Sequence, residues 1–313
     1  MNIHSAELEG QVHVAEKKKI RKSKRERQEI LYAYLFLMPS LIGFMLFIII
    51  PTVGSFVLSF VEWDLLTAPK FVGLGNFESL AKDDVFATIL KNTFVFSIFT
   101  IPIGMAISFL IAVLLNQGLK GTNIYRTIFF LPVMASAAGS AVVWKWIFEK
   151  DFGLLNYLLS FFGIVGPGWL TSSEWSMTSV IIMSIWKYIG FDMVIFLAAL
   201  QGVPKDLYEA AEIDGAKAWH KIRHITLPMI SYSTFFVLIM AIIRSFQIFD
   251  QMYILTKGGP GYSTQVLVYY IYTNAFEFFK LGYASSVAWV LFVIILVITL
   301  IQMKLQKKWV FYR

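Results

Sequence analysis

Five ionisable side chains stand inside stretches that are otherwise apolar: Lys145, Lys187, Asp192, Arg244 and Asp250. A charge near the middle of a bilayer costs about 2.5–3.5 kcal/mol on insertion scales, so such residues face a protein interior or water. Trp186, Tyr188, Gln247 and Tyr253 are their near neighbours in sequence. A polar stripe flanked by aromatic rings suits sugar hydroxyls and pyranose faces. Trp186, Tyr188, Asp192, Arg244, Gln247, Asp250 and Tyr253 are therefore candidates for lining a translocation path. The competing reading is structural: pairing between helices, or snorkelling towards water for Asp250 and Lys145 near an interface. An ion-coupled relay would use a chain of buried carboxylates, which the sequence lacks.

Catalysis finds no foothold in the residue types. The chain has no cysteine, which excludes disulfides, thiolate metal sites and thiol nucleophiles. His220 and His224 are spaced for a metal, but no glutamate follows His220 to complete a His-Glu-x-x-His motif, and a solvated helix face accounts for the pair. No Gly-x-x-x-x-Gly-Lys-Ser/Thr phosphate loop occurs. The expectation is a chain that is not an enzyme and carries no metal or cofactor. If ATP drives it, a separate subunit binds the ATP.

Such residues must be positioned by membrane helices. Hydrophobic residues make up 58% and charged residues 15% of the chain, a departure from the roughly half and quarter of globular proteins. The excess lies in runs of about 20 residues, the length that crosses a bilayer. Six spans are expected, near 31–60, 89–115, 126–148, 177–200, 229–254 and 284–305. Residues 61–88 read as a polar connection with two short helices, and 149–176 as another, turning at Gly166-Pro167-Gly168. Between spans five and six lies the Gly258-Gly259-Pro260-Gly261 turn. In the third span, the small residues Ala135, Ser136, Gly139 and Ser140 are spaced for close helix packing. Residues 1–30 form a polar basic tail with nothing that reads as a cleaved signal peptide. The membrane domain is 31–313.

Charge distribution orients the spans. Of 27 lysines and arginines, eighteen fall in the tail, after span two, in loop 201–228 and at the C-terminus, while five fall in the opposite loops. Positive-inside bias then puts both termini and loop 201–228 in the cytoplasm. The net charge of +7 thus serves topology and anionic lipid rather than nucleic acid.

The longest polar segment beyond the tail is that loop. Leu207, Ala210 and Ala211 recur at helical spacing beside Glu209 and Glu212, with Pro204 able to open the helix as its first residue. Asp214-Gly215 would end it, and a second amphipathic piece with Trp219, Ile222 and Ile225 runs to Pro228. A short helix, a glycine turn and a second helix suit docking in another protein's groove.

Glu209, Ala210, Ala211 and Gly215, followed by Ile225, Leu227 and Pro228, resemble the signature loop of binding-protein-dependent ABC importer permeases. Phe71-Val72-Gly73-Leu74-Gly75-Asn76-Phe77 and Thr256-Lys257-Gly258-Gly259-Pro260 resemble two signatures of the carbohydrate-type members. The resemblance implies an all-α integral membrane protein of six spans in the cytoplasmic (inner) membrane. It also implies a second, related permease subunit, two ATPase subunits inside, a solute-binding protein outside and a sugar, first a di- or oligosaccharide. Glu209, Ala210, Ala211, Asp214, Gly215, Leu227 and Pro228 would couple to the ATPase. An ion-coupled carrier, or a glycerol phosphate permease of the same family, is the alternative.

Overall fold

The computed structural model describes residues 24–118 and 120–311. Most of the basic tail, including the run Lys17-Lys18-Lys19, lies outside the described residues. The described chain is mostly helical and divides into two units, up to Gly54 and from Ser55 onwards.

Helix α1, Gln28–Leu58, is the first span expected from sequence. Pro39 and Pro51 lie in it without ending it, and a single π turn at Met45–Ile49 precedes Pro51. Proline lacks an N–H and crowds the carbonyl four residues back, and a wider turn relieves both problems. The apolar side chains from Leu31 to Ile50 are exposed almost without exception.

In the second unit, a two-stranded antiparallel hairpin, β1 (Val61–Glu62) with β2 (Lys70–Phe71), leads to α2 (Gly75–Ala81). One of the two short helices expected between 61 and 88 is thus present, and a hairpin precedes it. Then come α3 (Asp84–Leu115), α4 (Thr122–Met134), α5 (Ala137–Ile147), α6 (Leu154–Ser160) and α7 (Ser176–Gln201). The polar loop leads to α8 (Lys205–Ile213) and α9 (Ala218–Met229, with a π turn inside). The chain continues with α10 (Ser231–Phe246), α11 (Asp250–Leu255), α12 (Leu267–Tyr272) and α13 (Leu281–Gln306).

Among the described residues four helices, α1, α3, α7 and α13, are long and apolar enough to cross a membrane. The pair α4 and α5, bent by 99°, and the pair α9 and α10, bent by 72°, raise the number to six if each counts as one span. Two sequence expectations need correction here. The third span is not continuous: the helix stops at Met134 and restarts at Ala137, because Ala135 is extended and Ser136 caps the new helix. Ala135 and Ser136 are therefore a corner; no atom of another helix comes within 4 Å of a Cβ built on Gly139, while Ser140 one residue on is buried. The fifth span ends at Phe246 rather than running to 254; Phe249 breaks it and α11 starts afresh at Asp250.

Helix α7 is the centre of the bundle. Half of its most apolar window is buried (50%), against 22% for α3 and α13. A helix that is apolar on every side is one that neighbours surround. Gly190 is where α4 comes closest: a Cβ there would lie 1.9 Å from the Phe129 carbonyl oxygen. Three apolar clusters follow α3 along its length. Phe86 and Ile89 pack with Phe246 and Leu267, Phe96 packs with Val180 and Met183, and Leu115 packs with Leu200 and Val203. Residues 250–254, expected as the end of the fifth span, lie in α11, and the connection after them, expected only as an outer turn, supplies α12; the two helices contribute to two of these clusters.

Candidate functional site

The loop expected to dock is a helix–turn–helix held by its own backbone. Pro204 stands just before α8 rather than as its first residue, in extended backbone. At the other end Asp214 caps the helix and Gly215 takes φ +76°. The Gly215 N–H donates to the Glu212 carbonyl at 3.0 Å and the Ala216 N–H to the Ala211 carbonyl at 2.8 Å. These are the two bonds of a Schellman ending, which needs a left-handed residue and so favours glycine. Lys221 then pairs with Glu212 at 2.7 Å, and the Tyr208 hydroxyl lies 3.0 Å from that of Thr226, so α8 is tied to α9. Thr226 is buried, and Tyr208, Ile225 and Met229 pack on the cluster of Leu115, Leu200 and Val203.

Outward from this base the surface is free. Glu209, Ala210, Asp214 and Gly215 are exposed and Ala211 is half-buried. Ile213 and Trp219 expose 88% and 67% of their surface, far more than their apolar bodies would if they served the fold. Leu227 is exposed and Pro228 half-buried, just after a π turn at Ile222–Thr226 that accommodates the proline as at Pro51. His220 and His224 stack at 4.9 Å, and no group of three metal-ligating side chains occurs among the described residues.

The intramembrane candidates separate into three places. Asp192 on α7 and Arg244 on α10 form an ion pair: one Arg244 Nη nitrogen donates to both carboxylate oxygens, at 2.7 and 2.9 Å. The guanidinium also lies 5.1 Å from the ring centres of Tyr188 and Phe191, a cation–π geometry. Thr100, Ser184, Tyr188, Asp192 and Arg244 border a cavity of about 30 Å³, room for a water or two and not for a sugar ring. Gln247 and Asp250 are exposed on either side of the α10–α11 break. Tyr253 stacks on Phe249 at 5.4 Å in an aromatic cluster with Tyr269 and Tyr272. Trp186 meets Trp144 edge-on at 5.4 Å. Tyr188, Asp192 and Arg244 are brought together; Trp186, Gln247, Asp250 and Tyr253 are not brought to that cavity.

Two arrangements escaped sequence reasoning. Lys187, buried to 4% exposure, reaches α4 and donates to the carbonyls of Pro132, at 2.5 Å, and Ala135. Carbonyls at a helix C-terminus lack partners and favour a cation, so Lys187 holds the corner of the broken span. At the far end of α3, Asp83 caps the helix through the Val85 and Phe86 N–H groups and accepts from the Tyr270 and Tyr283 hydroxyls at 2.7 and 2.5 Å. Burial works against the charge on Asp83, but these donors outweigh it and hold the carboxyl below its usual range. Burial, chiefly, pushes the Tyr270 phenol up to about 12. Asn76 donates to the Ser59 and Val61 carbonyls at 2.9 and 3.0 Å, which gives the Asn of the Gly73–Phe77 turn its structural duty.

Residues 101–310 match the model of the family described as "Binding-protein-dependent transport system inner membrane component". The chain belongs to that family. As a permease component it is 40% identical over 298 residues to the probable ABC transporter permease protein YesP of Bacillus subtilis, covering 94% of this chain and 96% of YesP. It is 34% identical to the arabinooligosaccharides transport system permease protein AraP of the same organism, over 87% of this chain and 88% of AraP. The crystal structure of a bacterial alginate ABC transporter, in complex with an alginate pentasaccharide-bound periplasmic protein, contains a chain that superposes with TM-score 0.79 at 26% identity. The match covers 90% of this permease and 96% of that chain.

Proposed function

We propose that this permease is the membrane subunit of an ATP-driven, binding-protein-dependent importer of oligosaccharides. Its likeness to a permease of arabinooligosaccharide transport, and to a chain of an alginate transporter crystallised with its saccharide-loaded binding protein, supports the substrate class. Nothing in the fold favours an ion-coupled carrier or a glycerol phosphate permease. The working assembly pairs this chain with a second, related permease, two ATPase subunits in the cytoplasm and the binding protein outside. Both termini and the 201–228 loop face the cytoplasm of the inner membrane on the positive-inside count. ATP belongs to the partner subunits.

The observation that carries the coupling mechanism is the helix–turn–helix itself. It exposes Ile213 and Trp219 beside Glu209 while its base is packed against the ends of α3 and α7. A body rigid enough to transmit force and apolar enough to seat in a groove is what an ATPase must grip. ATP-driven closure moves the loop, and the packed base passes that displacement to α3 and α7, alternating access between the two permease halves. Glu209 makes a polar contact with the ATPase, Ala210 and Ala211 fit its groove, and Asp214-Gly215 sets the turn.

The test is Gly215→Asp in the reconstituted complex. The variant inserts into the membrane, but its ATPase subunits dissociate and ATP-dependent saccharide uptake is lost. Uptake at the normal rate would refute the lever.

A further inference from the structure

A second polar concavity lies at the end of α3 remote from the 201–228 loop. Its walls are the β1–β2 hairpin, α2, the start of α3, the end of α12 with the α12–α13 connection, and the start of α13. At about 690 Å³ it falls within the 300–1,000 Å³ range of small-ligand sites. The 30 Å³ gap beside Asp192 does not.

The chemistry of the wall is that of a receptor for hydroxyl groups. Asp64 accepts three bonds from the Leu66 and Thr67 N–H groups and the Thr67 hydroxyl, at 3.1, 2.8 and 2.7 Å, and all three end on Oδ1. Its Oδ2 keeps its acceptor capacity, and the Thr67 hydroxyl in particular holds the carboxyl below its usual range. Asn274 spends its amide N–H on the Tyr270 carbonyl at 2.9 Å, leaving its own oxygen. Lys70 and Lys280 bring ammonium donors, and Trp63 and Phe278 bring rings, that of Phe278 being 58% exposed. A sugar hydroxyl both donates and accepts, and the apolar face of a pyranose covers an aromatic ring.

Backbone conformation marks the same place independently. Only Leu65, Lys257 and Phe279 among the described non-glycine residues have positive φ, and Leu65 (66°) and Phe279 (56°) sit in the two loops that form this wall. Bulky side chains enter that region at a cost, and such strain gathers where a loop is shaped for a ligand. The Asp83–Tyr270–Tyr283 network fixes the floor between these loops.

We propose that this pocket is a saccharide-binding vestibule, separate from the intramembrane path, that receives one unit of a neutral sugar chain. The ring stacks on Phe278 and Trp63, and its hydroxyls bridge Asp64 and Asn274 to Lys70 and Lys280. Charge selects the class: Glu62, Asp64 and Asp83 against Lys70 and Lys280 leave a formal −1, which disfavours a uronate. The inference rests on the sugar-import reading.

The experiment measures saturation-transfer NMR from the assembled complex in nanodiscs, without binding protein, to arabinotriose, lactose and a uronate trisaccharide at millimolar concentration. The two neutral sugars give signal and the uronate gives none. Phe278→Ala and Asp64→Asn, both at the surface, weaken the neutral signal about tenfold while the complex elutes intact. Absence of neutral-sugar signal from the native complex overturns the vestibule, and so does equal signal from the variants. If the variants lower only affinity for the binding protein, the pocket is a protein-docking cleft and the proposal falls. ATP-dependent uptake with binding protein present is scored separately. Uptake without vestibule binding removes this inference alone, and absence of saccharide uptake altogether removes the import reading.

Discussion

Two charged regions of this permease handle their charges in opposite ways. The 205–229 helix–turn–helix leaves Glu209 and Asp214 in solvent and depends on backbone bonds at Gly215 for its shape. The Asp192–Arg244 pair lies within the bundle, each charge satisfied by the other and the guanidinium also by the rings of Tyr188 and Phe191. On the coupling proposed above, the first region is the one left open to a partner outside the chain. The second already has its partner, and its cavity is too small for cargo. A pair of ionisable residues in a membrane span thus marks a tie between α7 and α10 rather than, by itself, a sugar site.

The sharpest way to break that comparison is to remove one member of the pair. Asp192→Ala strands the guanidinium of Arg244, and loss of one partner of a buried pair costs about 3–5 kcal/mol. Thermal unfolding of the purified permease should show that loss, and the double variant Asp192→Leu/Arg244→Met should recover most of it. A single variant as stable as the parent would mean the pair carries no tie. Next in size is Gly190→Ala. The added Cβ must displace the Phe129 backbone, and overpacking of this kind costs about 1–3 kcal/mol. Its effect belongs to the bundle, so it appears in the unfolding midpoint whether or not the ATPase is bound.

Gly215→Ala sharpens the other side of the comparison. A side chain at φ +76° costs on the order of 1 kcal/mol, the penalty for a non-glycine residue in the left-handed region. Because the loop is local, the loss should appear as faster amide hydrogen exchange in residues 211–217, with the unfolding midpoint of the bundle nearly unchanged. A midpoint shift as large as that of Gly190→Ala would show that the loop is part of the core.

The loop was legible in sequence because its determinants are local. Alanine spacing sets the face of α8, a glycine ends it, and Pro228 marks the base, all within 25 residues. Four of the spans were legible for the same reason, since length and apolarity are local properties. The broken third span was not. Its corner depends on Lys187, more than 50 residues away, reaching the Pro132 and Ala135 carbonyls, and no window of sequence contains both ends of that contact. Of the small residues 135–140, read as a packing stripe, Ser140 is buried next to the core residue Ala141, while Ala135 and Ser136 form the corner. Pairing between helices stood among the sequence readings, but that Asp192 pairs with Arg244 was not legible, because naming partners needs a distance. The residues around Asp83, Tyr270 and Asp64 come from three separate stretches and carried no joint signal.

Gln247 and Asp250 test what remains of the path reading. Both are exposed, flanking the break after α10, so truncating them removes no buried contact and should change stability by no more than about 0.5 kcal/mol. If the sugar passes along the face they share with a second permease, Gln247→Ala and Asp250→Ala will alter the uptake rate while the complex assembles normally. Trp186→Ala provides the control, because its contact is with Trp144 and not with this break. Saccharide uptake in proteoliposomes, measured beside the yield of assembled complex, decides the matter. Unchanged uptake in both variants would remove Gln247 and Asp250 from the path and leave the exposed faces of other helices to line it. Altered uptake in both would place the path outside the Asp192–Arg244 tie, with the two charged regions of the bundle serving separate ends.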